Sequence, residues 1–366
     1  MIFHIFNPEH DLALASGSSR FTAPHAARQL HADLDFIPAF WAQATEAVLV
    51  SDAAMAREKT RRLVSRLGQM GIRVSPHTSF IEPKDLRTVV ADGVIPWGWD
   101  AALCHDLCQI GVREACLPPS DVLKGIRDCS HRRTSALALQ ELHLEEMVGK
   151  SVEVRSSEQI TEYISHWGPL VLKAPWSCSG RGVRFVDDRG ISDNVRHWAD
   201  NVIRDQGSLM VEPYYNKVKD FGMEFLIDAD GTLRYLGLSL FSTSGSAYTG
   251  NVLATEFSKS QLLSPYVSVE KQQQIRLELE RVLPPLLSGR YSGLLGVDMM
   301  VVGKVSEKGF YVHPCVELNL RHTMGHLALT LSPRDDDDVQ AVMNICFDKN
   351  RYHIKITNQT KEHYET

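Results

Sequence analysis

The sequence lacks any long hydrophobic run, any excess of basic charge and any paired set of cysteines. No apolar stretch approaches the roughly 20 residues that a membrane-spanning helix requires, so no membrane partner is expected. The formal net charge of −6 argues against nucleic acid as the main partner, because nucleic-acid-binding proteins usually carry a basic face. The seven cysteines are odd in number and scattered, which predicts reduced thiols in the cytoplasm rather than a disulfide framework.

Internal repeats, low-complexity linkers and a basic leader are missing as well. The chain starts with a short apolar run followed by Glu9 and Asp11, which predicts a first strand rather than a signal peptide. Cys104 and Cys108 flank His105, but this spacing matches no common zinc site, so we expect none there. A length of 366 residues, 43% of them hydrophobic and 23% charged, is typical of a globular protein of two or three domains.

What is present is a change of pattern along the chain. In the first third, apolar runs alternate with helical patterns, which predicts an α/β domain whose parallel strands lie at 2–6, 48–50, 72–74 and 93–97. Later segments predict a mixed α+β organisation with a strand hairpin at 169–174 and 183–186. We predict four units, at 1–125, 126–212, 213–333 and, as a C-terminal extension, 334–366.

The third unit is expected to be rich in long strands. Apolar runs predict strands at 221–227, 233–241 and 252–257, and an antiparallel pair at 294–302 and 310–318. A helix is predicted at 269–287, broken by Pro284 and Pro285.

Lys173 ends an apolar, strand-like run and is followed by a loop of small residues. Small residues let backbone N–H groups approach an anion, and the lysine adds a positive charge. The loop includes Ser177, Ser179, Gly180 and Gly182. No Gly-Lys-Ser/Thr follows and no helix pattern begins there, so we predict a phosphate-binding lid between two strands rather than a Walker A loop. A surface lysine at a strand edge is the alternative.

A second group of polar residues lies about 135 residues further on. Asp298 sits inside an apolar run, where a lone acid is costly unless it is paired with a charge or bound to a metal. Glu317 and Asn319 alternate with apolar neighbours, so the period of two places both on one strand face, and Arg321 has the same parity. Hard oxygen ligands of this kind suit Mg²⁺ held on phosphates. A buried ion pair between Glu317 and Arg321 is the alternative.

Glu212 closes a strand-like run just before Pro213. The backbone of such a strand end can pair with an adenine base, so Glu212 is a candidate for the base or the ribose, and Asp220 is a further ribose candidate. A Glu before a Pro is, in isolation, more often only the end of a strand.

Taken in order, these segments resemble the ATP-grasp superfamily over residues 126–330. The resemblance implies an α/β N-terminal domain followed by an α+β ATP-grasp fold of two subdomains that clamp ATP. It assigns the phosphates to Lys173 and the small-residue loop, the adenine–ribose edge to Glu212, and the acyl-phosphate or the transferred phosphoryl group to Arg321. It assigns Mg²⁺ to three side chains, those of Asp298, Glu317 and Asn319.

One feature of the superfamily is missing. Many such enzymes carry an earlier lysine that reaches the α-phosphate, whereas this chain has His131, Arg132 and Arg133 in that region. Arginine can also bind phosphate, which makes Arg132 a candidate ligand of the nucleotide.

The chemistry implied by the resemblance is ATP- and Mg²⁺-dependent activation of a carboxylate. The carboxylate attacks the γ-phosphate, ADP leaves, and an amine or thiol displaces phosphate from the acyl-phosphate. The expected partners are small-molecule or peptide substrates whose identity the sequence does not give, and a homodimer remains open. Two alternatives stay open as well: a phosphotransferase with the same clamp, and a non-catalytic ATP-binding regulatory protein, which only the missing lysine supports.

The acceptor site is less defined by the sequence. Residues 7–11 follow the first strand, where α/β sheets bind ligands, but they could equally form a helix start capped by Asn7 or Asp11. Residues 241–251 are a second candidate for a substrate loop, or simply the tip of a hairpin. His322 is a weak substrate candidate.

Overall fold

The computed structural model describes residues 1–76, 78–177, 182–244, 247–305, 308–333 and 340–358. Its N-terminal part contains a parallel four-stranded sheet in the order β3-β2-β1-β4, as the alternating pattern predicted. The strands are β1 Ile2–Ile5, β2 Ala47–Leu49, β3 Ser79–Ile81 and β4 Gly93–Pro96. The accompanying helices are α1 His10–Ser16, α2 His25–Leu34, α3 Ala53–Gln69 and α4 Ala101–Gln109.

The strand predicted at 72–74 is wrong, since the third strand of this sheet is β3. Gly71 follows α3 with φ 81°, a conformation that favours glycine. The Ile72 amide donates to the Leu67 carbonyl (2.9 Å) and the Gly71 amide to the Gly68 carbonyl (3.1 Å). This is the Schellman arrangement, in which the apolar residue after the glycine packs against the helix. Ile72 is therefore buried as part of a helix end.

The middle of the chain forms an antiparallel sheet in the order β5-β8-β6-β7. Its strands are β5 Val152–Val154, β6 Leu170–Lys173, β7 Val183–Val186 and β8 Leu209–Pro213. The helices here are α5 Ser120–Cys129, α6 Arg133–Glu141, α7 Glu158–Trp167 and α8 Asp193–Gln206. The predicted hairpin is confirmed, with Lys173 opposite Val183. The predicted domain limits stay predictions, and α5 runs across the one at 125/126.

The next part is built on a second antiparallel sheet, in the order β10-β9-β13-β14. Its strands are β9 Lys217–Ile227, β10 Leu233–Ser239, β13 Gly293–Gly303 and β14 Phe310–Asn319. Between and after them lie β11 Phe241–Ser244, β12 Ala247–Leu253, α9 Glu256–Leu263, α10 Val269–Leu287 and α11 Met324–Leu331. The predicted antiparallel pair is confirmed as β13 and β14.

Three predictions in this region are wrong. The run at 233–241 is divided between β10 and β11, which belong to different sheets. The run at 252–257 ends β12 and enters α9, because the Thr255 side chain accepts the Ser258 amide (3.2 Å) and caps that helix. Helix α10 continues through both prolines, since its apolar face stays buried to the last turn. Residues 241–251 lie in the hairpin β11–β12, except that residues 245 and 246 are outside the described residues.

The C-terminal extension supplies two strands that the sequence analysis did not predict. Strands β15 Ala341–Asp348 and β16 Arg351–Asn358 complete a sheet in the order β11-β12-β15-β16. Lys349 and Asn350 both have positive φ, as a two-residue type I′ hairpin turn requires. Ile356 packs into the same apolar cluster as residues of α3. In the ranges described here, no helix is long and apolar enough to cross a membrane.

Candidate active site

A buried arginine joins the two segments that the sequence singled out. Arg132 immediately precedes α6 and is 7% exposed. Its guanidinium donates to the Ala174 carbonyl (2.6 Å) and the Ser177 hydroxyl (2.9 Å), just beyond the end of β6. It also donates to the Glu317 carboxylate on β14 (2.6 Å). The entrance of the lid and the carboxylate-bearing strand therefore share one crevice.

The three predicted metal ligands form one cluster. Asp298 and Glu317 lie opposite each other on β13 and β14, and the Asn319 amide donates to the Asp298 carboxylate (3.0 Å). Burial, and then the Glu317 charge, raise the pKa of Asp298 from 3.8 to about 7. Like charges held this close favour a cation between them, and both donors are the hard oxygens that Mg²⁺ prefers.

The protein by itself supplies few metal ligands. Over the described residues, no group of three or more His, Cys, Asp or Glu side chains is arranged to hold a metal ion, including the segment from Cys104 to Cys108. A Mg²⁺ at Asp298 and Glu317 would therefore take its remaining ligands from Asn319, water and phosphate oxygens, which is usual for this ion in phosphoryl-transfer sites.

Lys173 is held by the second predicted nucleotide ligand. Its Nζ lies 2.6 Å from Glu212 Oε2, and the side chains are 10% and 8% exposed. The Ser151 hydroxyl also donates to Glu212 (3.2 Å). The register of β6 and β8 places Lys173 opposite Met210 and Glu212 opposite Val171, so the two long side chains meet diagonally across the sheet. A bound anion would have to draw the ammonium away from this carboxylate.

Part of the predicted lid is placed beside this pair. Gly182 approaches Ser177 so closely that a Cβ added there would lie 2.4 Å from the Ser177 Cβ, which explains the need for glycine. The Ala174 amide donates to the Gly182 carbonyl (2.8 Å) and closes the base of the loop. Ser179 and Gly180 lie outside the described residues.

Arg321 is bound by the N-terminal part of the chain rather than by Glu317. Its Nε and one terminal nitrogen donate to the Asp11 carboxylate at 3.0 and 2.7 Å. The same nitrogen donates to the Asn319 side-chain oxygen (3.0 Å), and the other donates to the His322 carbonyl (3.1 Å). The alternative pairing of Glu317 with Arg321 is wrong, because Arg132 takes Glu317 and Asp11 takes Arg321.

The helix start that was the alternative for residues 7–11 is present as α1, but neither Asn7 nor Asp11 caps it. Glu9 occupies the N-cap position and makes no side-chain capping hydrogen bond. Asn7 instead donates to the Gly98 carbonyl (2.8 Å), and so ties the end of β1 to the end of β4. Asp11 points away from its own helix toward Arg321 and contributes to the crevice. Residues 7–11 stay a candidate substrate loop.

Asp220 lies near the cluster but is already engaged. Its carboxylate accepts hydrogen bonds from Lys217 Nζ (2.6 Å) and from the Thr243 hydroxyl (2.6 Å). Its charge contributes to the raised pKa of Asp298. His322 is stacked on Trp41 with ring centroids 4.7 Å apart, and its ring is therefore part of an aromatic cluster.

The sequence analysis missed a buried acid next to the predicted metal ligands. Glu224 is 3% exposed, accepts the Thr323 hydroxyl (2.9 Å), and lies opposite Gly296 in the sheet. Burial, followed by the Asp298 charge, raises the pKa of Glu224 to about 8. A Cβ on Gly296 or Gly325 would lie 2.7 or 1.8 Å from its oxygens, so both glycines make room for it. Glu224 lies four residues after Asp220 on β9, so the alternation of a strand places both on one face. This spacing is the signal that could have revealed Glu224.

Comparisons with known proteins bear on the fold. No family model and no curated protein matches the sequence. The structure is similar to N5-carboxyaminoimidazole ribonucleotide synthetase from Thermus thermophilus, with a TM-score of 0.52, 12% identity and coverage of 100% of this chain and 95% of that one. It is also similar to the biotin carboxylase domain of the Hydrogenobacter thermophilus 2-oxoglutarate carboxylase, with a TM-score of 0.51, 14% identity and coverage of 94% and 74%.

In both cases the likeness extends over nearly the whole of this chain. The chain has an ATP-grasp fold. The fold class predicted from the sequence is thereby confirmed. In this ATP-grasp fold, the sheet that carries Lys173 and the sheet that carries Glu317 face one crevice, with Arg132 between them.

Proposed function

We propose that this protein is an ATP- and Mg²⁺-dependent ligase that activates a carboxylate as an acyl-phosphate and joins it to an amine or thiol. The observation that carries the proposal is the position of Arg132. It contacts the lid entrance at Ser177 and the carboxylate strand at Glu317, so the residues proposed to bind phosphate and those proposed to bind metal lie near one another. In this proposal Arg132 replaces the missing earlier lysine.

The nucleotide would lie between the two sheets. Lys173 and Arg132 would bind its phosphates, and the lid containing Ser177 and Gly182 would cover them. Glu212 would serve the adenine–ribose edge, because it already lies beside Lys173. Ser179, Gly180 and Asp220 stay in the proposed nucleotide site, with Asp220 the less favoured ribose ligand because two neighbours already bind it.

Asp298, Glu317 and Asn319 would hold the metal. Mg²⁺, when bound there, would neutralise charge on the phosphate oxygens and orient them. The raised pKa of Asp298 fits this role, since a cation would favour the ionised carboxylate that burial and Glu317 disfavour.

The reaction needs no covalent enzyme nucleophile. A substrate carboxylate oxygen attacks the γ-phosphorus, the bond to the β,γ-bridging oxygen breaks, and ADP leaves. The amine or thiol then attacks the acyl carbon, phosphate departs, and the nucleophile loses its proton. Arg321 would stabilise the negative charge that develops in these steps, because Asp11, Asn319 and the His322 carbonyl fix its orientation.

The comparisons add support of a general kind. The Hydrogenobacter domain was crystallised with MgADP and bicarbonate, a nucleotide together with a small carboxylate-like anion. We further propose a cytoplasmic location, in keeping with the free state of the six cysteines that the structure describes. A homodimer is a further proposal.

The test measures ADP and phosphate release with MgATP and pools of carboxylic acids, amino acids and thiols, with product masses. An amide or thioester formed with stoichiometric ADP and phosphate supports the proposal. A product that keeps the phosphate identifies a kinase, and ATP binding without turnover in any pool identifies a binding protein. Glu317→Gln should abolish turnover, whereas Glu58→Gln, at a half-exposed position on α3, should not.

A further inference from the structure

His313 lies on β14 in the same sheet face as Glu317 and is enclosed by protein. Its side chain is 1% exposed, and neither ring nitrogen has a hydrogen-bond partner in the part of the chain that the structure describes. Met300 lies opposite it on β13, beyond an irregularity in pairing that starts at Asp298. Pro314, which has no N–H to donate, lies within this irregularity.

An unpartnered buried imidazole is unusual in a folded protein. Leaving a buried polar group without a partner destabilises the folded state, and such groups are rare unless a ligand or water satisfies them. Burial and the nearby Lys173 ammonium lower the pKa of His313 to about 3, so the ring is neutral. A neutral imidazole offers one donor and one acceptor, which suits hydroxyl groups and base edges rather than anionic phosphate.

The surroundings of His313 point to the nucleotide. The rings of His313 and Tyr215 are nearly perpendicular, with their centroids 5.6 Å apart. A Cβ added to Gly149 would lie 3.1 Å from His313 Nε2. Gly149 and Tyr215 also line an open cleft with Lys150, Trp167 and Pro213, which is adjacent to β8 and Glu212.

The spacing along β14 agrees with this placement. His313 and Glu317 are four residues apart, but the irregularity between them takes up two of these residues, because their partners Met300 and Asp298 are only two residues apart on β13. The two positions are therefore separated by roughly 7 Å along the sheet. A metal-bound phosphate at Glu317 and the nucleoside near His313 are therefore within reach of one bound nucleotide. The charge of Lys173, which is proposed to bind the phosphates, also reaches His313.

We propose that His313 recognises the nucleoside part of the bound ATP through a hydrogen bond from its neutral imidazole. This inference rests on the proposed function, because it requires a nucleotide between the two sheets. His313 is then a binding residue that remains unpaired until the nucleotide arrives. The unpaired ring lowers the stability of the empty protein, and its hydrogen bond to the nucleoside raises the affinity for the nucleotide.

The experiment compares His313→Leu and His313→Gln with wild type. Calorimetry measures the affinity for a non-hydrolysable ATP analogue and for inorganic tripolyphosphate, both with Mg²⁺, and urea unfolding measures the stability of the empty protein. For His313→Leu we expect about tenfold weaker binding of the analogue, unchanged binding of tripolyphosphate, and no loss of stability. His313→Gln should restore part of the affinity, because it keeps a donor and an acceptor. His353→Leu, at a half-exposed position on β16, is the control.

Each other result overturns the inference. Unchanged analogue affinity in both variants would mean that His313 does not touch the nucleotide. Equal weakening of the analogue and tripolyphosphate would show that it serves the phosphates or the shape of the whole site. If His313→Leu fails to fold, His313→Gln alone decides, by its effect on the analogue relative to tripolyphosphate. Failure of the wild type to bind either ligand would instead refute the proposed function.

Discussion

Replacing Asp298 with asparagine should stabilise the empty protein above neutral pH while abolishing metal-dependent turnover. The pKa of Asp298 is raised from 3.8 to about 7. Between these pH values the folded state holds a proton that the unfolded state has released. Wild-type stability therefore falls as the pH rises from about 4 to 7, because ionising this carboxyl in the folded state costs free energy. Asparagine removes that cost.

The size of the effect follows from the shift. A change of about three pKa units corresponds to about 4 kcal/mol at most. Asp298 is half-buried, so water screens part of this energy, and we expect about 2 kcal/mol at pH 8. The asparagine oxygen can still accept the hydrogen bond from Asn319, so little geometry is lost.

Urea unfolding at several pH values between 5 and 8 measures the difference directly. The advantage of Asp298→Asn should shrink as the pH is lowered, and Mg²⁺ with a nucleotide analogue should stabilise wild type more than the variant. Glu58→Gln, at a half-exposed position on α3, is the control. The reasoning fails if Asp298→Asn is less stable than wild type at pH 8, or if the difference between them is independent of pH.

Three further predictions concern the same crevice. Asp11→Ala should destabilise the protein by about 2 kcal/mol in urea unfolding and lower kcat, because it leaves the Arg321 guanidinium partly buried and unpaired; an unchanged kcat would exclude a role in positioning. Gly325→Ala should cost about 3 kcal/mol in the same assay, since the new Cβ would lie 1.8 Å from Glu224 Oε1, and the added variant Glu224→Ala should recover part of the loss. Lys173→Met should weaken binding of an ATP analogue at least tenfold by calorimetry, and unchanged affinity would remove Lys173 from the phosphate site.

Local patterns were sufficient for the strands that carry Lys173, Glu317 and Asn319. The apolar run before Lys173 predicted β6, and the alternation through Glu317 and Asn319 predicted their shared face on β14. These inferences hold because the period of a strand is a property of the backbone, so it can be recognised from the order of neighbouring residues. Where a helix end or a chain reversal competed with an apolar run, as at Ile72 and Thr255, the same reasoning failed.

By itself, then, the sequence determined most strands that carry the site and the residue types offered to the crevice, because these depend on near neighbours. Only the tertiary structure decided the partners: Arg132 with Glu317, Asp11 with Arg321, and no described partner for His313. Those pairings join residues 185 and 310 positions apart. Charge complementarity alone allows many such pairs, and packing of the three parts of the chain selects among them.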